Sequence, residues 1–179
     1  MDHEPDWITL SEEERRLLGF WVADCAERVL PLFEAKAPSD THPREAINGI
    51  RVFARGGKRT EQLRSLFKAA YASAREVGDP VAAAAARAAS LAASFAFIHE
   101  RVTVDQAKHA LGPAAYAARA RELAADNDPD AGDEEIQWAV EHASPEVLEI
   151  MRRMPIRPPI SGRGRLDALL FQLDAGLRH

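Results

Sequence analysis

Hydrophobic residues recur every three or four positions along most of the chain, which is the spacing of one face of an α-helix. The first series runs through Leu17, Trp21 and Cys25, and the last runs through Leu166, Leu169, Leu173 and Leu177. No segment shows the alternation of polar and apolar residues that is typical of a strand. The pattern predicts an all-α fold: a single-domain multi-helix bundle of about seven or eight helices, with stacked helix pairs as an alternative arrangement.

The middle of the chain, from Asp79 to Ala125, is rich in alanine. Alanine is the best helix former, and its small side chain lets neighbouring backbones approach closely. We therefore expect two Ala-rich central helices against which bulkier helices pack. Gly112-Pro113 interrupts the second of them, and the proline is expected to kink or split that helix.

Capping residues mark where individual helices should begin. Ser11 is followed three positions later by Glu14, and Thr103 is followed in the same way by Gln106, so both pairs fit a capping box. Single N-cap residues, which accept a bond from a free backbone N–H of the first turn, are expected at Thr60, Asp79 and Ser144.

The chain reads as one domain, residues 1–179, because its length and its apolar fraction of 46% are ordinary for a single core. Residues 1–10 are predicted to be a tail. Residues 155–164 form a Pro/Gly-rich loop before the C-terminal helix, whose leucine stripe should dock on the body.

Charge and cysteine content restrict the classes of function. The net charge of −5 disfavours general binding to nucleic acid or to an anionic membrane. Cys25 is the single cysteine, so no internal disulfide can form. The N-terminal residues lack the features of a signal peptide, and the apolar stretch 81–98 carries Arg87, which argues against a membrane span. We expect a cytoplasmic protein.

One short pattern resembles a calcium loop and then departs from it. Asp126, Asp128 and Asp130 have the spacing of the first three ligands, but Ala131 stands where glycine is needed. Gln137 stands where a bidentate glutamate is needed. The chain also has no HExxH, GxSxG, CxxC or complete phosphate-loop motif, so the sequence predicts no metal and no cofactor.

Four polar residues in or near the apolar helix stripes could form a cluster: Asp24, Arg87, His99 and His109. Buried polar groups must find partners, so the cluster is either an internal network that ties helices together or a small-ligand or catalytic site. Within the first helix, Asp24 and Arg28 have the spacing of an ion pair.

Two charged surfaces are predicted. The acidic one would attract a basic partner by electrostatic steering, and it comprises Asp126, Asp128, Asp130, Asp133, Glu134, Glu135 and Glu141. The basic one is a stripe of Arg44, Arg51 and Arg55, which is either a solvated face or a set of partners for acids on a neighbouring helix.

Four segments together resemble a bacterial family of putative immunity proteins associated with polymorphic-toxin systems. They are WVADCAERVLPLFE, HPREAINGIRVFARG, AARAAS and AKHALGPAAYAARARELAA. The resemblance runs from about Leu17 to the C-terminal LDALLFQLDAGLR, and some relatives carry an exonuclease-like label. It implies an all-helical cytosolic protein that neutralises a cognate protein toxin by binding it, and it does not identify catalytic residues.

Two hypotheses of function follow. The resemblance, the acidic charge and the absence of an enzyme motif favour a toxin-binding immunity protein over an enzyme. The alternative is a small-ligand-binding protein or enzyme that uses Asp24, Arg87, His99 and His109. A nuclease finds little support, because metal-dependent nucleases need converging carboxylates and those of this chain cluster in a turn.

Overall fold

The computed structural model describes residues 6–155 and 164–179, and these fold into a bundle of α-helices with one short β-ribbon. The elements, in chain order, are β1 (Trp7–Thr9), α1 (Glu12–Glu27), α2 (Leu30–Glu34), α3 (His42–Ala54), α4 (Glu61–Glu76), α5 (Pro80–Ser94), a 3₁₀ turn (Phe95–Phe97), β2 (Arg101–Thr103), α6 (Val104–Ala124), α7 (Pro129–His142), α8 (Pro145–Arg153) and α9 (Arg165–Arg178). The predicted all-α, single-domain bundle is confirmed. The described residues hold nine helices, of which α2 has only five residues.

Helix α5 is the centre of the bundle, as the alanine content predicts. It packs against α1, α2, α3, α4 and α6, and most of its alanines are fully buried. The approach of α6 is close enough that a Cβ at Gly112 would lie 2.6 Å from Cδ1 of Leu91. A Cβ there would require the Leu91 side chain to move, so Gly112 favours the close packing of α5 and α6.

Of the predicted kink or split at Gly112-Pro113, the split is wrong, because α6 continues as one helix from Val104 to Ala124. Proline removes one backbone donor and costs about 3 kcal/mol or more inside a helix. Residues on both sides of Pro113 are buried against neighbouring helices, including Ala110, Ala114 and Ala117. This packing holds the helix together in spite of the proline.

Most of the predicted caps are present. Ser11 and Glu14 form the complete capping box, and Thr60, Asp79 and Ser144 each accept a bond from a backbone N–H of the first turn. Thr103 is at the N-cap position of α6 but makes no side-chain cap bond. The capping box predicted there is therefore absent.

The prediction that residues 1–10 form a tail is wrong for the residues just before α1. Trp7–Thr9 pairs antiparallel with Arg101–Thr103, with Ile8 opposite Val102. Leu10 is fully buried, and its N–H donates to the carbonyl of Glu100 at 2.9 Å. Residues 1–5, and residues 156–163 of the predicted Pro/Gly-rich loop, lie outside the described residues.

Among the described residues, the segment Pro80–Phe97 is long and apolar enough to cross a membrane by length and composition. In this structure 61% of it is buried inside the bundle, where it packs against other helices of the same chain. Buried core helices share that length and composition, so the burial accounts for the apolar character of the segment.

Two contacts fix α7 and α9 on the body. Nε1 of the buried Trp21 donates to the carbonyl of Ala139 at 2.9 Å, which joins α1 to α7. Arg165 at the start of α9 pairs with the buried Glu122 of α6 at 2.6 Å. The predicted leucine stripe of α9 docks as expected, with Leu169, Leu173 and Leu177 fully buried.

Candidate partner-binding surface

A surface pocket of about 400 Å³ lies between α1 and α7, lined by Asp24, Glu27, Arg28, Trp138 and His142. The guanidinium of Arg28 lies over the Trp138 ring, 4.0 Å from its centroid. One helical turn along α7, the ring of His142 stacks on Trp138 at a centroid distance of 4.4 Å. The half-buried Trp138 is therefore held in place by a cation and a second ring.

Two carboxylates of the pocket pair with α3 and α7. Asp24 accepts from Nη1 of Arg51 at 2.8 Å, and its other oxygen lies 2.8 Å from Nε2 of His142. Glu27 accepts from Nη2 of the same Arg51, also at 2.8 Å. The pair predicted between Asp24 and Arg28 within α1 is wrong, because each residue pairs with a different helix.

Arg28 pairs with Glu135, a residue that the sequence places on the acidic surface. Glu135 is only 5% exposed and accepts two bonds from Arg28, at 2.7 and 3.1 Å. Arg121 lies 3.4 Å from the same carboxylate. Hydrogen bonding to Glu135 raises the pKa of Arg28 above its ordinary value, although partial burial opposes the shift. Glu135 is thus an internal link between α1, α6 and α7, and the prediction that it faces a partner is wrong.

The other six acids of the predicted surface are exposed, and we call them the acidic face: Asp126, Asp128, Asp130, Asp133, Glu134 and Glu141. Asp133 has a cation nearby, with Arg165 at 3.6 Å, and Asp128 caps α7 by accepting from the N–H of Asp130. Among the described residues, none of the other five carboxylates has an ion pair. The acidic face therefore keeps most of its negative charge.

The acidic face and the pocket are neighbours on α7. Glu134 and Trp138 are four residues apart, and so are Trp138 and His142, so the three occupy successive turns. On α1, Phe20 lies one turn before Asp24 and is 37% exposed. The result is a surface with an aromatic centre and a negatively charged rim.

The structure does not bring together the predicted cluster of Asp24, Arg87, His99 and His109. Asp24 belongs to the pocket, whereas Arg87 lies over the rings of Tyr71 and Tyr116. Nδ1 of His109 lies 3.3 Å from the hydroxyl of Ser94, and His99 is exposed. Burial, followed by the charge of Lys108, lowers the pKa of His109. No hydrogen bond, ion pair or ring contact of the described residues joins any two of the four.

The predicted basic stripe is largely neutralised by acids of neighbouring helices. Arg44 pairs with Glu34 through two bonds, at 2.6 and 2.7 Å, and Arg51 pairs with Asp24 and Glu27. Arg55 is exposed and has no such partner among the described residues. The stripe therefore serves mainly to join α3 to its neighbours.

The turn Asp126–Asp130 and the thiol of Cys25 were the two candidates for metal or thiol chemistry. The part of the chain that the structure describes has no group of three His, Cys, Asp or Glu side chains placed to hold a metal ion. In the turn after α6, Asp126 and Asn127 adopt left-handed backbone angles, with φ of 54° and 62°. Cys25 is buried in the core, and burial raises the pKa of its thiol well above the ordinary value.

Sequence reasoning missed the pocket because its parts come from distant positions. Neither Trp138 nor His142 was singled out from the sequence as a site residue. A spacing of four residues between Trp138 and His142 was the one local signal that the two rings could stack. The partner of Arg28 lies 107 residues away, which no local pattern reveals.

Comparison with protein families gives a match that covers most of the chain. A family model described as Imm-5 like putative immunity protein matches residues 8–146, which span α1 to α7 and include the pocket and the acidic face. No curated protein and no solved structure matches the chain.

Proposed function

This chain belongs to the Imm-5 like putative immunity protein family, and from that premise we propose that it neutralises a protein toxin by binding it in the cytoplasm. The toxin docks on the acidic face and on the pocket beside it. The observation that carries this assignment is the row of uncompensated carboxylates along α7, next to an immobilised tryptophan.

The acidic face supplies attraction at a distance. Five of its six carboxylates lack an ion pair among the described residues, so the local field is negative. A field of this kind raises the rate of association with a positively charged protein, and salt weakens the effect. The partner that fits is a toxin with a basic surface, such as one that acts on nucleic acid.

The pocket supplies the short-range contact. Tryptophan and arginine are enriched among the residues that dominate binding energy at interfaces. Trp138 is held between α1 and α7 by Arg28 and His142, so it loses little conformational freedom on binding. Phe20, one turn away from Asp24, extends the apolar centre of the surface.

The test reverses charge on the acidic face without disturbing the fold. The variant Asp130→Lys/Glu134→Lys/Glu141→Lys leaves out Asp128, because that residue caps α7. A matched control reverses three exposed glutamates elsewhere, Glu13, Glu76 and Glu149. Each variant is co-expressed with the cognate toxin, and association rates are measured at low and high salt.

We expect the α7 variant to lose protection and to associate at least about tenfold more slowly at low salt, with less difference at high salt. The control should protect like the wild type. Full protection by the α7 variant, with wild-type association kinetics, would remove the acidic face from the interface. Trp138→Ala, which leaves the charges unchanged, should instead increase the dissociation rate.

A further inference from the structure

Arg87 occupies an unusual position on the face formed by α4, α5 and α6. Its guanidinium carbon lies 4.4 Å from the centroid of the Tyr71 ring and 5.3 Å from that of Tyr116. Tyr71 comes from α4 and Tyr116 from α6, while Arg87 comes from the central helix α5. Three helices therefore hold one cation in a fixed place.

The guanidinium of Arg87 has no hydrogen-bond or ion-pair partner among the described residues. Among the described residues, every other half-buried arginine has a hydrogen-bond or ion-pair partner: Arg15, Arg16, Arg28, Arg51, Arg64, Arg119, Arg121, Arg165 and Arg178. Arg87 contacts two aromatic rings and makes no such bond within the described part of the chain. The guanidinium nitrogens of Arg87 are not buried, so an acceptor supplied by a ligand can reach them from solvent.

The surroundings of Arg87 are open and positively charged. Tyr71 is 42% exposed, and Lys68 and Arg75 lie on the same face of α4, three residues before it and four residues after it. Arg75 also lies over the Tyr71 ring, at 5.9 Å. Asp79, the nearest acid before Arg87 in the sequence, is engaged in capping α5. An anion approaching this face therefore meets three cations.

We propose that Tyr71, Arg87 and Tyr116 form a binding site for a carboxylate side chain on an acidic segment of a partner protein. The planar guanidinium offers parallel N–H groups that match a carboxylate through two bonds. The tyrosine rings hold it by cation–π contact, which leaves its edge available for those bonds. Tyrosine and arginine on an exposed surface are also the residues that most often dominate protein interfaces.

This site is separate from the surface proposed for the toxin. The acidic face lies on α7 and on the turn before it, and its charge selects a basic partner. The Arg87 site has the opposite charge and selects an acidic one. The inference therefore does not depend on the toxin-binding proposal, and either can fail alone.

The experiment uses the full chain labelled with ¹⁵N on arginine, so that the Nε–H signal of Arg87 is observed directly by NMR. The probes are a hexaglutamate peptide, a hexalysine peptide, acetate and inorganic phosphate. The variants are Arg87→Gln and the matched control Arg55→Gln, which removes an exposed arginine that has no ion pair among the described residues. Melting curves check that both variants fold, and sedimentation measures self-association.

We expect hexaglutamate to shift the Arg87 signal in a saturable, salt-sensitive way, and hexalysine to leave it unchanged. Arg87→Gln should weaken peptide binding at least about tenfold, because charge-assisted bonds are lost. Arg55→Gln should bind like the wild type. If Arg87→Gln fails to fold, Arg87→Lys is tested instead. It keeps the positive charge but lacks the paired N–H groups of the guanidinium, so it should still bind the peptide more weakly than the wild type.

Three outcomes would overturn the proposal. An Arg87 signal that hexaglutamate leaves unmoved would show that the site takes no acidic segment. Acetate or phosphate binding as tightly as the peptide would show a site for a small anion instead. Self-association of the wild type that disappears in Arg87→Gln would identify the occupant as a second copy of this chain.

Discussion

Replacing Trp21 by alanine should cause one of the largest losses of stability that a single substitution in this chain can produce. Trp21 is 3% exposed, and its Nε1 donates to the carbonyl of Ala139 at 2.9 Å. Ala139 lies in the last turn of α7, where carbonyl groups lack helical partners. The N–H of Ala143, which would bond to it in a continuing helix, donates to Val140 instead. Trp21 therefore fills the core and also completes the end of α7.

The magnitude follows from these two roles. Truncating a buried tryptophan to alanine costs about 3–5 kcal/mol. Leaving a buried carbonyl without a donor costs about 1–3 kcal/mol, although water entering the cavity would recover part of that cost. We expect Trp21→Ala to lower the free energy of unfolding by about 4–5 kcal/mol, and the melting temperature by roughly 10–20 °C.

A second variant separates the two roles. Trp21→Phe keeps an aromatic ring in the core but has no N–H group, so it should cost about 1–3 kcal/mol. The control Val52→Ala changes a residue that is 57% exposed and should stay within about 0.5 kcal/mol of the wild type. Urea unfolding followed by far-ultraviolet circular dichroism measures all three.

Each result tests a different role of Trp21. A Trp21→Ala protein within about 2 kcal/mol of the wild type would show that the side chain is not a core residue. If Trp21→Phe were as stable as the wild type, the bond to Ala139 would contribute nothing. Because α7 carries the pocket and the acidic face, Trp21→Ala should also weaken the toxin binding that we propose for this surface.

Two further predictions follow from the same region. Gly132→Ala should lower the free energy of unfolding by about 1–3 kcal/mol, because its Cβ would lie 2.2 Å from Oε2 of the buried Glu122. In urea unfolding, the control Gly19→Ala should be neutral or stabilising, since its Cβ would meet nothing closer than 3.4 Å. The turn Asp126–Asp130 should not bind calcium, because Asp128 caps α7 and the later ligands are missing. Calorimetric titration with calcium should give no binding at micromolar concentrations, and micromolar affinity would contradict this interpretation.

Local signals in the sequence predicted the local features of the fold. The capping box of Ser11 and Glu14 involves residues three positions apart, and the structure contains it. The alanine stretch predicted the central helices because small side chains permit close packing wherever the neighbours come from. Pro113 did not split α6, because burial of α6 against neighbouring helices outweighs the local cost of a proline inside a helix.

The candidate surface was predictable only in part. The exposed acids of α7 follow from a polar stripe at helical spacing, so six of the seven predicted positions face solvent. Glu135 differs because Arg28 and Arg121 reach it from α1 and α6. The spacing of Glu135 from Gly132 and Ala139 places the three residues on one face of α7, and this was the sequence feature that indicated an inward orientation. The Arg87 site could not be predicted, because Tyr71 and Tyr116 meet it only through packing of three helices.

The ribbon of β1 and β2 has a consequence for the order in which the chain folds. It joins residues separated by half of the sequence, so its formation carries the full entropic cost of closing a long loop. The contacts between α4 and α5, and between α5 and α6, connect neighbouring elements and close much shorter loops. The Ala-rich helices should therefore assemble first and the ribbon last. The same ribbon, with only three residues on each strand, should be the first element to open when the native protein fluctuates.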